Sequence, residues 1–444
     1  MAEINLKKNI LISSSFRVLI MIVSFLTGWI STRFLGVELK GKYGYLLTII
    51  SFTWIVLDLG LHKTYPYLIR KEADRYRQLF FWSIIQFCLE LSIFLCLGLS
   101  FISVLSHLLK FQFQPLTIIL VSLAITLTKL SQHMQMNYLG QDKVSKCSFY
   151  QFLNSLIMFL LVGMGWVLFH SPDRLHYVLA AYDTALFITV LCFTLPLIVS
   201  PFWKGFDLRF IIKSYSLGWR VFLSGLFITL LIRFDVIIIR HYKGFADLGI
   251  YSVAANIVDM LQLAANLVGS LLLVKLSDIS DTKKQWELLQ KIFFFFFILL
   301  GCANLGFVIV GKPLLTFMYG RDFTNVYYVY LWLIPASFGL SFGSLFNTYL
   351  WSKGFPWMSV LLPLLALILN IGLNFALIPI MGIYGAALAT SISYVGWFIL
   401  ILIYESLHSK TRVITYLLPR ADNFRGLYSI MRSTFSTART YFHR

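Results

Sequence analysis

The sequence predicts an all-α integral membrane protein of about twelve transmembrane helices, arranged as two parallel-repeat six-helix lobes. Three observations predict it. Hydrophobic residues make up 59% of the 444 and charged residues 13%, far from globular usage. Apolar runs of roughly 20 residues, each able to cross a hydrocarbon core about 30 Å thick, recur along nearly the whole chain. Finally, "RFLGVELKGKY" in the first half is echoed by "RHYKGFADLGIY" in the second, and "NYLGQDK" by "TYLWSKG" at nearly the same offset. Repetition at one period is the mark of a duplicated, parallel arrangement.

The first run, 10–32, carries Arg17 in its interior and ends without a small-residue cleavage site, so it reads as a retained span and not a signal peptide. Runs follow at 43–62, 79–104, 115–138, 149–169 and 175–199, completing a first lobe over residues 1–200. The second lobe, 201–405, holds 219–240, 249–273, 292–312, 326–350, 358–380 and 383–404. Between the last two, Pro379 and Gly382 predict a tight hairpin, and Gly385, Ala386, Ala389 and Thr390 a small-residue face for close helix contact. Residues 406–444 form a basic amphipathic tail, expected in the cytoplasm. Within it Phe424, Leu427, Tyr428, Met431 and Phe435 keep helical spacing beside Arg425, Arg432 and Arg439, the pattern of a helix lying on an anionic membrane surface.

Net charge is +18, and its placement predicts orientation. With the N-terminus in the cytoplasm, well over half of the 37 Lys and Arg fall in inner segments, so both termini are expected inside. Nucleic acid is not an expected partner, because no basic segment lies in a soluble domain of its own. The five cysteines lie in spans or, for Cys147, in a basic loop, without metal-ligand spacing, and no metal or other cofactor is expected. All connections are short and no nucleotide-binding or hydrolase motif occurs, so no enzyme activity is predicted.

Ionisable groups inside spans cost about 2.5 to 3.5 kcal/mol each, which makes every one a functional candidate. In "TLLIRFDVIIIRHY", Arg233 and Asp235 stand two residues apart, about 200° around a helix, and cannot pair with each other. Arg233 is expected to face a wet cavity as an anion site and Asp235 a neighbouring helix, serving the lobe interface. Arg17, about 10 Å from the inner end of its span, Lys129, and Arg233, about 10 Å from the outer end of its own, form a ladder of cations suited to a phosphate. Lys129 heads a polar stripe with Gln132, His133, Met136 and Asn137 that suits sugar hydroxyls. Asn370 and Asn374 share a helix face and need another helix or water. Glu90, Asp183 and Asp259 are the candidates for coupling to a proton or sodium gradient. Asp58, near the end of its span, reads as a structural helix-end charge, as does Asp235 at its interface.

The segments "RFLGVELKGKYGY", "LDLGL", "IRFDVIII", "LGIYSVA", "MYGRDF" and "LNIGLNFALIPIMGIYGAALAT" stand together, in an order and spacing that resembles the bacterial polysaccharide-exporting flippases. The chain, over roughly residues 5–405, looks like the O-antigen or capsule lipid-linked oligosaccharide flippases (Wzx-type) of the multidrug/oligosaccharidyl-lipid/polysaccharide superfamily. That resemblance implies two six-helix lobes around a central cavity, in the bacterial cytoplasmic (inner) membrane. It implies an undecaprenyl-diphosphate-linked glycan as substrate, membrane lipid as surroundings and glycan-assembly proteins as possible partners. Two alternatives stay open: an ion-coupled multidrug or small-molecule antiporter of the same superfamily, for which a cavity dominated by carboxylates is expected, and a membrane glycan polymerase or ligase, which the short outer loops disfavour.

Overall fold

The computed structural model describes residues 2–72, 75–168, 173–198, 207–279, 281–354 and 356–408, so the tail expected to lie on the membrane falls outside the described residues. Among the described residues the chain is helical, with no strand. The helices are α1 (Ala2–Asp58), α2 (Leu61–Lys71), α3 (Arg75–Ser100), α4 (Ile102–Leu108), α5 (Pro115–Gly140), α6 (Val144–Leu168) and α7 (Arg174–Ile198). They continue as α8 (Leu208–Tyr242), α9 (Phe245–Asp278), α10 (Thr282–Tyr319), α11 (Asn325–Ser352), α12 (Met358–Met381) and α13 (Ile383–His408).

Among the described residues eleven helices are long and apolar enough to cross a membrane. Ten correspond one to one with runs in the sequence. The eleventh, Ser15–Asp58, spans 44 residues and holds the first two runs. At 1.5 Å per residue it is about 66 Å long, twice what one crossing needs. It is broken at Gly36, whose φ of 73° and ψ of 178° are far from helical. Only glycine adopts that backbone without steric cost, so the chain turns there while remaining nominally one helix. The span expected at 79–104 ends earlier, at Ser100, and α4 begins a separate short helix. Cys147, expected in a loop, is instead buried in the first turn of α6. Lys143 Nζ sits 5.6 Å from the Tyr138 ring centroid, so the basic segment is drawn into helix termini and not left as an open loop.

The chain forms two compact units: Met1–Val253 with Thr316–Phe323, and Ala254–Leu315 with Thr324–Arg444. In the first, α5 is the central helix, packed by α2, α3 and α7, while α1 packs on α6 and α8. Gly41 of α1 and Gly249 of α9, the two glycines that the internal echo aligns, face each other there. A Cβ on Gly41 would overlap the backbone of Phe245, and one on Gly249 the backbone of Val37. The helices therefore cross backbone against backbone, which only glycine permits. In the second unit α11 and α12 pack on α13. The small residues Gly385, Ala386, Ala389 and Thr390 are all buried, and a Cβ on Gly385 would overlap the Leu377 carbonyl, so the α12–α13 hairpin is closed tightly.

Side-chain bonds tie successive connections together at alternate ends of the first unit. At one end Trp29 donates to the Met318 carbonyl at 2.6 Å and Arg240 to the Lys110 carbonyl at 2.7 Å. At the other, Arg70 meets Asp142 at 3.1 Å and Gln78 donates to the Asp207 carbonyl at 2.9 Å. Residues 29–33, 110, 240 and 317–318 thus share one end, and 70–78, 142 and 207 share the other, as back-and-forth crossing requires.

Candidate functional site

A cluster of polar side chains is buried where α1 ends. Leu59 (φ 50°) and Gly60 (φ 78°) turn it sharply into α2, which carries His62 back over Asp58. The Asp58 carboxylate, 1% exposed, accepts the His62 backbone N–H at 3.3 Å and lies 2.5 Å from the His62 Nδ1. Its other neighbour comes from α5: His133 Nε2 is 2.6 Å from Oδ1. The Nδ1 of His133 faces Ser83 Oγ at 2.9 Å and Tyr65 OH at 3.2 Å, and those hydroxyls lie 2.8 Å apart. Every member finds a partner, so a neutral or a charged His133 can be held: the hydroxyls accept from a ring N–H or donate to its lone pair.

One helical turn along α5, Lys129 continues the network. It is 2% exposed, and its Nζ donates to Glu90 Oε1 at 2.5 Å and to the Leu57 carbonyl at 3.3 Å. Glu90 lies two turns from Ser83 on α3. Its second oxygen, Oε2, has no hydrogen-bond partner, nor has Gln86 Oε1 one turn away. Gln86 Nε2 donates to Tyr215 OH at 2.7 Å, bringing α8 into the cluster. A buried ion pair is worth little net stability, because desolvation consumes the attraction, yet removing one partner strands the other charge at about 3 to 5 kcal/mol. The pair is therefore sensitive to the loss of either partner.

The structure thus joins three residues that the sequence presents separately: Asp58, Glu90 and Lys129. Asp58, read as a helix-end charge, is the centre of a histidine pair. The polar stripe is largely committed to neighbouring helices. Asn137 donates to the Tyr76 carbonyl at 2.8 Å and accepts from Gln141 at 2.6 Å, whereas Gln132 is half-buried and makes no hydrogen bond among the described residues. Asp235 is buried, accepting from the Val236 backbone N–H at 2.7 Å and from the Tyr251 hydroxyl of α9 in the same unit. Arg17 and Arg233 are half-buried, and each has an interaction partner in the structure, so Arg233 is not the isolated cation its aliphatic neighbours suggest. Asp183 on α7 stands outside these networks: it is 6% exposed and neither carboxylate oxygen has a hydrogen-bond partner.

In the second unit Asp259 is half-buried and engaged. Asn370 and Asn374 are fully buried, with Asn374 Nδ2 donating to the Asn370 carbonyl and to Asn370 Oδ1, both at 2.9 Å. Asn370 Nδ2 and Asn374 Oδ1 remain without partners, a donor and an acceptor side by side.

Several buried polar residues had no signal in the sequence. Lys40, which reads as an ordinary loop lysine, is 5% exposed and donates only to Ser31 Oγ, at 3.3 Å. Glu405 is 2% exposed and pairs with Lys353 at 3.0 Å. His62 looks like one more polar residue after a span. A charge count flagged intramembrane charges by depth, and these three lie too near the predicted span ends to stand out. Among the described residues no group of three or more His, Cys, Asp or Glu is placed to hold a metal ion.

Residues 6–274 match the family model described as polysaccharide biosynthesis protein. The chain belongs to that family. Solved structures extend the likeness to the fold of both units. A lipid II flippase, MurJ, in an inward closed conformation, is 12% identical with a TM-score of 0.71, covering 95% of this chain and 93% of its own. An inward-facing multidrug resistance MATE family transporter of the MOP superfamily is 13% identical with a TM-score of 0.67, covering 92% and 98%. A MOP superfamily transporter from Pyrococcus furiosus, described as having a binding pocket of reverse polarity, is 12% identical with a TM-score of 0.61, covering 93% and 97%. No curated protein sequence matches significantly. The family member is thus a multi-pass membrane protein with the fold of the MOP superfamily transporters.

Proposed function

We propose that this chain carries an undecaprenyl-diphosphate-linked oligosaccharide, a precursor of O-antigen, capsule or a related glycan, from the inner to the outer leaflet of the bacterial cytoplasmic membrane. It does so by alternating access, with both termini in the cytoplasm and no chemical step. The observation that carries this reading is the polysaccharide biosynthesis match over residues 6–274 in a chain of membrane-spanning helices. The fold shared with a lipid II flippase supports it. Moving a diphosphate through hydrocarbon requires fixed cations along the way. Arg17 and Arg233, half-buried within spans, supply forked donors, and Gln132, Asn370 and Asn374 supply amide groups with unused hydrogen-bonding capacity for sugar hydroxyls.

Lys129 and Glu90 couple that path to an ion gradient. With Glu90 ionised, Lys129 is neutralised; a proton on Glu90 releases Lys129 to an anion. The buried, unpartnered Oε2 is the atom that takes up that proton in this reading. Asp183 and Asp259 are further carboxylates for a proton or sodium ion. Glycan-assembly proteins and membrane lipid are the partners this reading implies.

A second reading, an ion-coupled multidrug antiporter, is favoured by one observation: the buried, hydrogen-bond-free carboxylate of Asp183, in a fold shared with a MATE transporter. Surface-glycan complementation separates the two. In a strain lacking its own flippase, the chain restores surface glycan, and Arg233→Gln slows delivery about tenfold to a hundredfold at equal protein level. Arg233→Lys retains part of it. Drug resistance without surface glycan would favour the antiporter.

A further inference from the structure

At the end of the first unit where α1 is broken, four segments line a half-open cavity of about 570 Å³. Its walls come from the turn of α1 after Gly36, from residues 106–117, from the start of α7 and from the end of α8 with Phe245. The volume lies in the range of pockets that hold small organic ligands. It is separate from the Asp58 and Lys129 network and from Arg17.

Charge in the pocket is unevenly settled. Lys42 is neutralised by Glu38 at 2.8 Å, and His176 lies 3.9 Å from Asp173. Lys110 and Arg240 are in no ion pair among the described residues. Arg240 instead donates to the Lys110 carbonyl at 2.7 Å and lies 3.9 Å from the centre of the Phe245 ring, and its Nε is buried with no acceptor. Lys110, held at φ 49°, has its Nζ 3.2 Å from His241 Nδ1. Arg240 is thus fixed by backbone and aromatic contacts, Lys110 stands beside it, and neither has a counter-charge among the described residues.

Three long helices also begin at this cavity: α5 at Pro115, α7 at Arg174 and α9 at Phe245. Gln114 at the N-cap of α5 makes no side-chain cap bond. The positive ends of three helix dipoles add to Lys110 and Arg240, and the groups that complement them are oxyanions. Exposed amides of Gln112 and Gln114 and the hydroxyl of Ser106 extend the polar wall. The ring faces of Phe245 are covered by cations, which leaves the charge and not sugar stacking as the recognition element.

We propose that this pocket is a binding site for the diphosphate headgroup of a polyprenyl lipid. Arg240 stands seven residues beyond Arg233, on the same face of α8 and about 10 Å further along it. Resting on the flippase reading, the pocket is where the diphosphate arrives after passing Arg233, on the face from which the lipid leaves. Phosphate chemistry is shared by ordinary phospholipids, so the test separates the sources.

Full-length protein in phosphatidylcholine nanodiscs is titrated with sodium pyrophosphate by calorimetry. Saturable binding is expected, weakened about tenfold in Lys110→Gln/Arg240→Gln and less in Arg240→Lys. Lys110→Gln alone, at an exposed side chain, gives a smaller loss and serves where the double variant is produced poorly. Polyprenyl diphosphate placed in the disc displaces pyrophosphate, whereas phosphatidylglycerol at the same density does not. Unchanged binding in the variants, or none in the wild type, overturns the site. Equal displacement by phosphatidylglycerol overturns the diphosphate assignment and leaves a general phospholipid contact. Because the readout is binding and not delivery, pyrophosphate binding in a chain that restores no surface glycan counts against the flippase reading, while glycan delivery without pyrophosphate binding counts against the pocket alone.

Discussion

The proposed coupling rests on one contact, Lys129 with Glu90, and substitution of the two side chains tests it. Glu90→Gln imitates the protonated form but strands Lys129 beside a neutral amide, so coupling to a pH gradient is expected to vanish in the protein that inserts, at some loss of abundance. Lys129→Met strands Glu90 at a cost of about 3 to 5 kcal/mol and should lower abundance, and the double variant should recover it. Recovery of abundance without recovery of transport identifies a coupling pair; recovery of both identifies a structural one. In the sequence both residues are legible as intramembrane charges. Their pairing is not, because 39 residues separate them and periodicity is silent on which helix faces which. The same limit hides the histidine pair around Asp58: His133 is 75 residues away, and His62 returns only through the turn at Leu59 and Gly60, which no residue type other than the glycine announces.

At the scale of elements, the glycine echo proved more structural than its length suggests. Gly41 and Gly249 meet at one crossing of α1 and α9, so a side chain on either has no room. Gly249→Val should cost at least about 1 to 3 kcal/mol through overpacking, read as a lower melting temperature in detergent and reduced membrane abundance. Gly249→Ala should fall between, and Gly163→Ala, where a Cβ meets nothing within 4 Å, should be neutral. An unchanged melting temperature for Gly249→Val would contradict the crossing. Most spans were legible because hydrocarbon thickness fixes their length. The break at Gly36 was legible only as the gap between two apolar runs, and α2 was hidden because a short helix beside the membrane has no length requirement to satisfy. Its buried side chains, Leu61, Tyr65, Leu68 and Ile69, pack with Leu79 of α3 and Phe210 and Ile211 of α8, beside α5.

At the scale of the whole molecule, alternate connections gather at opposite ends of the first unit, and the basic ones, with Arg70, Lys71, Arg75 and Lys143, share an end. A reporter inserted near Arg75 should therefore be cytoplasmic, as should one after Arg444, while one near Asp173 should be periplasmic. A periplasmic signal at Arg75 would invert the proposed direction of every site along the path, the pocket at Arg240 included. Composition and hydropathy carried the membrane class without difficulty, since few other solvents tolerate this many apolar residues. Substrate was legible only through resemblance, because a phosphate asks for cations that many transporters also carry. The most direct measurement of lipid-linked glycan translocation is therefore made with purified protein. In proteoliposomes loaded with undecaprenyl-diphosphate-linked oligosaccharide, the glycan accessible to an external glycosidase should rise beyond its initial share with wild-type protein and far more slowly with Arg233→Gln. Accessibility that stays the same with and without the protein, while a drug substrate is exchanged for protons, would contradict it.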